Sequence, residues 1–304
     1  MMRRLVECVP NFSEGRRQKV IEAIVAPFRD RPGVHLLDSR ADPDHNRLVV
    51  SLVGEPGPLQ DALLQASRAA VAQIDMRHHR GAHPRIGAVD VIPFVPLRHL
   101  TMEECVLLAR GFARRYADEL QIPVYLYESA AVRPERRNLE QVRKGQFEAL
   151  AAEGLGSESR APDVGPSALH PSAGATAIGA RAFLVAFNVN LASRDLEAAR
   201  SIARAIRTSS GGLPSVKAVG IALEDRGMVQ VSINLTDFRV TPVHEAFAAV
   251  REEAARRGIE VAETEIYGLV PVEALVDAAR QSLKLSGFDL SQVLDLRLLD
   301  MAGE

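Results

Sequence analysis

Residues 34–53 read VHLLDSRADPDHNRLVVSLV, two apolar runs (34–38 and 47–53) separated by the turn-forming ADPDHN. Val- and Leu-rich runs of this length are strand-like, and Asp, Pro and Asn cluster where a chain reverses. Before them, residues 3–10 (RRLVECVP) read as a strand, and Val20, Ile21, Ile24 and Phe28 recur at helical spacing, with Ser13 placed to cap that helix. After them, Leu59, Leu63, Ala66, Ala70, Val71 and Ile74 outline a second helix, and 88–95 (AVDVIPFV) reads as a strand. The order β-α-β-β-α-β is the split βαβ pattern of ferredoxin-like folds, in which two helices cover one face of an antiparallel sheet.

Thr101 and Glu104 then form a T-x-x-E capping box before a third helix, and 123–127 (PVYLY) is a short strand. Residues 155–176 lose periodicity and fill with Gly, Ser, Pro and Ala, which reads as a long ordered loop. Beyond it the pattern repeats: strand 182–191, a helix capped by Ser193, strands 217–223 and 228–235, a helix from Thr241-Pro242, strand 259–267, and a closing helix with Val276 and Leu283. The fold class expected is α+β, two ferredoxin-like βαββαβ subdomains (1–178 and 179–304) packed around a ligand cleft.

Hydrophobic residues at 47% and charged residues at 25% are the proportions of a globular chain. With 37 Lys+Arg against 39 Asp+Glu, no global field favours nucleic acid or an anionic membrane. Trp is absent and aromatics make up 5%, which argues against a base-stacking platform. Cys8 and Cys105 suggest neither a disulfide framework nor a zinc ribbon. The start is too polar for a signal peptide and no run of about 18 apolar residues occurs, so a cytoplasmic protein is expected.

The densest chemistry lies in RHHRGAHPRIGAVDV, 77–91. Histidine exchanges protons near neutral pH and arginine grips carboxylates, so this set suits an anionic substrate. His79 and His83 have the four-residue spacing of a helical zinc pair, but Gly81 and Pro84 oppose a helix there, and no metal is expected. His78 and His79 read as solvated residues at a helix end. His83, on a loop that opens a strand, reads as functional. In ADPDHNR, Asp42, Asp44 and Asn46 are turn formers, whereas His45 and Arg47 are not required by the turn. Asn11 stands at the exit of the first strand. Asn188 and Asn190, two apart on an apolar strand, share a face and need partners, from the protein or from a ligand. The loop 163–176 has no phosphate-loop glycine pattern, but its backbone could approach a flat ligand.

VECVPNFSEGR, LLD...DHNR, HPRIGAVDVIPFVP, TMEECVLLARGFA, PVYLYESAA, APDVGPSALHPSAGAT, FLVAFNVNL, QVSINLTDFRVTPVH and YGLVP occur in this order over roughly residues 4 to 285. Together they resemble the formiminotransferase domain of the glutamate formimidoyltransferase family. The resemblance implies transfer of a formimino group from N-formimino-L-glutamate to N5 of tetrahydrofolate in histidine degradation, by a cytosolic homodimer with folate between its subdomains. It implies that His83 is the catalytic acid/base. It implies a folate-binding loop of Gly165, Pro166, Ser167, Ala168, Leu169, His170, Pro171, Ser172, Ala173 and Gly174. Asn11, His45, Arg47, Arg85, Asn188 and Asn190 are expected to bind substrate, with Arg47 and Arg85 meeting its carboxylates.

The sequence departs from some relatives at Arg40, where an aspartate would be expected, so that Asp38 or Asp42 would have to partner the histidine. Ala173 stands where some relatives are expected to carry an aromatic residue, and no cyclodeaminase domain like that of animal members is expected, so that a separate enzyme is expected to process the product. Two rival readings are transfer of a formyl group from N-formylglutamate, and a folate-binding protein without turnover. A proton shuttle beside Arg85 favours an enzyme over mere binding.

Overall fold

The computed structural model describes residues 3–302 apart from Asp44, Ala82, Glu224 and Asp225, with side chains described up to Leu298. The chain divides into two compact units, Met1–Ala182 and Phe183–Glu304. Each is a mixed α/β unit with its own sheet.

In the first unit, β1 (Leu5–Cys8) and β2 (Asn11–Phe12) are one line of chain interrupted at Pro10, which has no N–H to give a ladder. Helix α1 (Gln18–Val25), strands β3 (Val34–Asp42) and β4 (Arg47–Gly54), helix α2 (Pro56–Gln73) and strand β5 (Val89–Arg98) follow in the expected order. β3 pairs with β4, β4 with β1 and β2, and those with β5, all antiparallel. Helix α3 (Met102–Leu120) starts at the expected capping box, where Thr101 accepts from Glu104 N and Glu104 reaches back to Thr101 N. Two further strands, β6 (Val124–Glu128) and β7 (Thr176–Ala180), extend the sheet to seven strands, with β7 parallel to both β5 and β6. The sheet is therefore mixed and not purely antiparallel. β7 begins where the Gly/Ser/Pro-rich stretch ends, and its short TAIGA run carries little strand signal.

Val6, Cys8 and Phe12 face the helices and join Ile24, Leu59, Leu63, Phe94, Phe112 and Tyr116 in the main core. A smaller cluster of Ile86, Val91, Tyr125, Tyr127 and Leu150 forms on the opposite face, under α4 (Leu139–Val142) and α5 (Gln146–Glu153). Ser13 is not the cap of α1. Its hydroxyl donates to Gly87 O at 2.7 Å, and Glu14 Oε1 instead accepts from the N–H groups of Arg16 and Arg17.

The second unit contains β8 (Val185–Leu191), α6 (Leu196–Ile206), β9 (Val216–Leu223), β10 (Met228–Leu235), α7 (Val243–Ala255) and β11 (Val261–Tyr267). Their antiparallel sheet runs β11-β8-β10-β9, which is fourth-first-third-second. Counting β1 and β2 as one strand, β3-β4-β1/β2-β5 in the first unit is that same order reversed. Asp195, not Ser193, caps α6: its Oδ1 accepts from Ala198 N, while Ser193 Oγ accepts from Asp195 N. Helices α8 (Val272–Leu283) and α9 (Leu294–Ala302) close the chain. Among the described residues no helix is long and apolar enough to cross a membrane.

Candidate active site

The site is built where a turn and a loop of the first unit lock together through polar groups. The reversal between β3 and β4 starts at Asp42, whose Oδ1 accepts from His45 N at 2.9 Å and whose Oδ2 lies 2.7 Å from His45 Nδ1. Asn46 follows with φ +48°, a left-handed conformation that asparagine tolerates. Its Oδ1 accepts from Gly15 N at 2.9 Å and its Nδ2 donates to Arg80 O at 3.0 Å, so one amide ties the turn to two loops. Gly81 rests on the same turn: a Cβ there would stand 2.2 Å from His45 O. Asp44 lies outside the described residues.

His83 follows that contact, half-buried, with Nε2 2.6 Å from Arg47 Nη1 at the start of β4. A guanidinium only donates, so Nε2 is the accepting nitrogen and the ring is neutral with its proton on Nδ1. Burial, then the charges of Arg47 and Arg143 and the ring of His45, push the His83 pKa from 6.5 down to about 3. The His45 ring stands edge-on to it, 6.3 Å between centroids. His45, Arg47 and His83 line a narrow crevice together with Phe12, His79, Arg85 and Asp90, too tight in this conformation to hold a water molecule. A larger groove of about 700 Å³ lies between the start of α3 and the Glu128–Arg137 region, and no histidine is among its lining residues.

Arg85 is buried, and its five N–H groups are all engaged. Nε donates to His79 Nδ1 at 3.1 Å, Nη1 to Gln146 Oε1 and Glu148 Oε2, and Nη2 to Glu148 Oε1 and His79 O. It meets a substrate carboxylate only by releasing Glu148. His79 is not the solvated residue expected. Its ring is buried, with Nε2 3.0 Å from Asn46 O, and desolvation lowers its pKa. It braces Arg85 and the turn, and the segment that carries it is not helical. His78 alone of that pair is solvated, with 84% of its side chain exposed. Among the described residues no group of three or more His, Cys, Asp or Glu side chains is arranged to hold a metal.

The carboxylates considered for His83 have other partners: Asp38 pairs with Arg40 at 2.7 Å, and Asp42 reaches the imidazole cluster through His45. Asn11, on β2, donates to Val9 O at 2.9 Å. The loop Gly165–Gly174 is exposed at Gly165, Ser167, Ala168 and Pro171, while Ala173 and Gly174 are buried. His170 Nδ1 accepts from Ala173 N at 3.0 Å, which folds the tip back on itself. Ala173 O accepts from Ala88 N, Ser172 O from Met76 N, and Ala175 N donates to Ile86 O. Gly174 has φ +75° and no room for a Cβ, which would lie 2.3 Å from Ile86 O. The end of the loop is thus laced to the segment that follows His83. Ala173, where the resemblance led to the expectation of an aromatic residue, is a packed core position.

In the second unit, Asn188 and Asn190 share a face of β8, as their spacing requires. Their amides donate to Glu265 Oε1 at 3.0 Å and Glu263 Oε1 at 2.9 Å on β11, and Gln230 donates to Asn190 Oδ1 at 2.8 Å. Protein groups therefore meet the need for partners. The residues that sequence reading passed over in the first unit are Asp90, Arg143, Gln146 and Glu148. Three of them flank one turn between two short helices with no long period, Arg143 just after α4 and Gln146 and Glu148 in the first turn of α5, and the only signal there is the turn glycine Gly145 at φ +79°.

Residues 5–181 match the formiminotransferase domain N-terminal subdomain, and residues 186–295 match the formiminotransferase domain. The chain belongs to the formiminotransferase family. This formiminotransferase-family chain is 47% identical over 299 residues to a glutamate formimidoyltransferase of Streptococcus pyogenes serotype M1, covering 98% of this chain and 100% of that one. It is 47% identical to a glutamate formimidoyltransferase of Thermoplasma acidophilum, covering 97% of each. A formimidoyltransferase-cyclodeaminase of Rattus norvegicus is 47% identical over 284 residues, which are 91% of this chain and 52% of the rat protein.

Proposed function

We propose that this formiminotransferase-family chain transfers the formimino group of N-formimino-L-glutamate to N5 of tetrahydrofolate, releasing L-glutamate and 5-formiminotetrahydrofolate. The observation that carries the reading is the half-buried neutral imidazole of His83 held against Arg47 at a crevice of cations. Near-full-length relatives that bear the transferase name support the donor and acceptor.

Bonding of N5 to the formimino carbon gives a tetrahedral adduct. His83 takes the proton that N5 sheds and returns it to the glutamate nitrogen as the old C–N bond breaks, so the enzyme ends unchanged. Positioned proton transfer of this kind contributes roughly 10² to 10⁴ in rate. A free ring with a pKa of about 3 is a weak base, so the site must raise it when the reactants bind. A substrate carboxylate on Arg47 does this by countering the charge that faces Nε2. Arg47, and Arg85 if Glu148 yields its place, are the proposed carboxylate partners, with His45 at the crevice, Asn11 on β2 beside the crevice residue Phe12, and Asn188 and Asn190 on the second unit as further substrate contacts.

The loop from Gly165 to Pro171, exposed at Gly165, Ser167, Ala168 and Pro171, offers backbone groups to a flat heterocycle, and the anchoring of its end to 86–88 supports reading it as the platform for tetrahydrofolate as co-substrate. No step of the proton transfer requires a metal. The shared fourth-first-third-second strand order supports reading both units as ferredoxin-like. Family resemblance supports a cytosolic homodimer acting in histidine degradation. Purified protein mixed with tetrahydrofolate and either N-formimino- or N-formyl-L-glutamate tests the reading. Absorbance of the 5-formimino product with the first donor is expected; preference for the formyl donor, or binding without glutamate release, would overturn it.

A further inference from the structure

Glutamate derivatives carry two carboxylates, so a site for one calls for two cations. Arg47 is one candidate, in contact with His83. Arg85 has every N–H engaged. A third guanidinium reaches the same crevice from a different element, through Asp90 that lines it. Arg143 ends α4, and its charge is among the causes that hold the His83 pKa down.

Arg143 is built in from one side only. Its Nη2 pairs with Asp90 Oδ2, while Asp90 Oδ1 accepts from Ile86 N at 2.9 Å. Asp90 is 2% exposed and lines the His83 crevice, so the carboxylate that aims Arg143 is itself fixed by the backbone of the segment between His83 and β5. The Arg143 side chain keeps 16% of its surface open. Its Nε is buried and has no hydrogen-bond partner among the described residues. A buried N–H without an acceptor is costly and rare in native proteins, and a guanidinium fork grips a carboxylate through two parallel bonds.

We infer that Arg143, oriented by Asp90, binds a carboxylate of a glutamate-type ligand beside His83. The inference rests on the transfer reading for its ligand class and adds a cation that the family resemblance did not supply. The carboxylate comes from the formimino donor or from the glutamyl tail of the folate, and the two sources separate by experiment. Asp90 is a positioning residue in this arrangement.

The test uses the full chain and its Arg143→Gln and Arg143→Lys variants, titrated calorimetrically with L-glutamate and, separately, with 5-formyltetrahydrofolate, so that no turnover is needed. Loss of one charge-assisted carboxylate contact is expected to weaken one of the two ligands roughly 10- to 100-fold in Arg143→Gln, with partial recovery in Arg143→Lys. Weakening of glutamate alone assigns the donor; weakening of the folate alone assigns its tail. Should Arg143→Gln fail to fold because Asp90 is left unpaired, the double variant Asp90→Asn with Arg143→Gln, which leaves no lone buried charge, replaces it. Wild-type affinity for both ligands retained within about twofold in a folded variant overturns the inference and leaves the transfer reading standing. A wild-type protein that binds neither ligand overturns the transfer reading and this inference with it.

Discussion

Replacing Arg47 by glutamine removes the cation in contact with His83 Nε2 and should raise the pKa of the ring. Two unit charges about 4 Å apart interact by about 4 kcal/mol at an effective dielectric of about 20, and about 1.4 kcal/mol corresponds to one pH unit, which bounds the share of Arg47 at roughly three. Burial is the larger cause of the fall from 6.5 to about 3. The share of Arg47 is therefore under half of that fall, and the ring in Arg47→Gln should titrate roughly 1 to 1.5 pH units higher than in the wild type. NMR titration of the imidazole carbons, assigned with a His83→Gln sample, measures it directly. Saturating L-glutamate added to the wild type should move the ring in the same direction, because a carboxylate on Arg47 counters the same charge. The folded pKa lies below the unfolded value, so the neutral ring contributes its full stability above pH 6.5 and loses it as pH falls from there towards 3. Arg47→Gln should narrow that window. A wild-type ring titrating near 6.5, or one that ignores both the substitution and glutamate, would refute the reasoning.

Glu7 gives the opposite pH dependence. Burial on β1 lifts its carboxyl from 4.5 to about 7 against the pull of Arg181, so the protonated form suits the fold and stability is lost as pH rises through 7. Glu7→Gln should stabilise by up to roughly 3 kcal/mol at pH 8 and by little at pH 4 in urea melts, and equal effects at both pH values would contradict this. Gly81→Ala forces a Cβ onto His45 O, so it should cost about 1 to 3 kcal/mol and lower kcat/KM by displacing the turn that carries Arg47; unchanged kinetics would show that the turn tolerates the shift. Thr101→Ala removes the cap of α3, a helix that contributes no residue to the lining of the crevice, and should lower stability by about 1 kcal/mol with kcat unchanged.

The elements with strong periods were legible. The helices α2 and α3 and the pair β3–β4 follow from apolar spacing and turn chemistry, and so does the capping box at Thr101, where a local rule acts alone. The strand β7 was not legible, because TAIGA is held by pairing with β5 and β6 and not by its own composition. Ser13 and Ser193 illustrate a different limit. A serine before an apolar period suits a cap, but Ser13 is taken by Gly87 O across the sheet and Asp195 stands closer to the start of α6. At the site, His83 and Arg47 stood out by residue type, and the structure brings them together across 36 positions of sequence. The fates of Arg85 and His79 depend on Glu148 and Asn46, long-range partners that no spacing announces. Arg143 was silent for the same reason: only the fold sets it against Asp90.

The most direct measurement compares wild type and His83→Ala for formation of 5-formiminotetrahydrofolate from N-formimino-L-glutamate and tetrahydrofolate, with circular dichroism as the check on folding. A folded variant slowed by roughly 10² to 10⁴ in kcat, with donor and folate affinities little changed, is expected of an imidazole that carries the proton. Near-normal turnover by folded His83→Ala would contradict it.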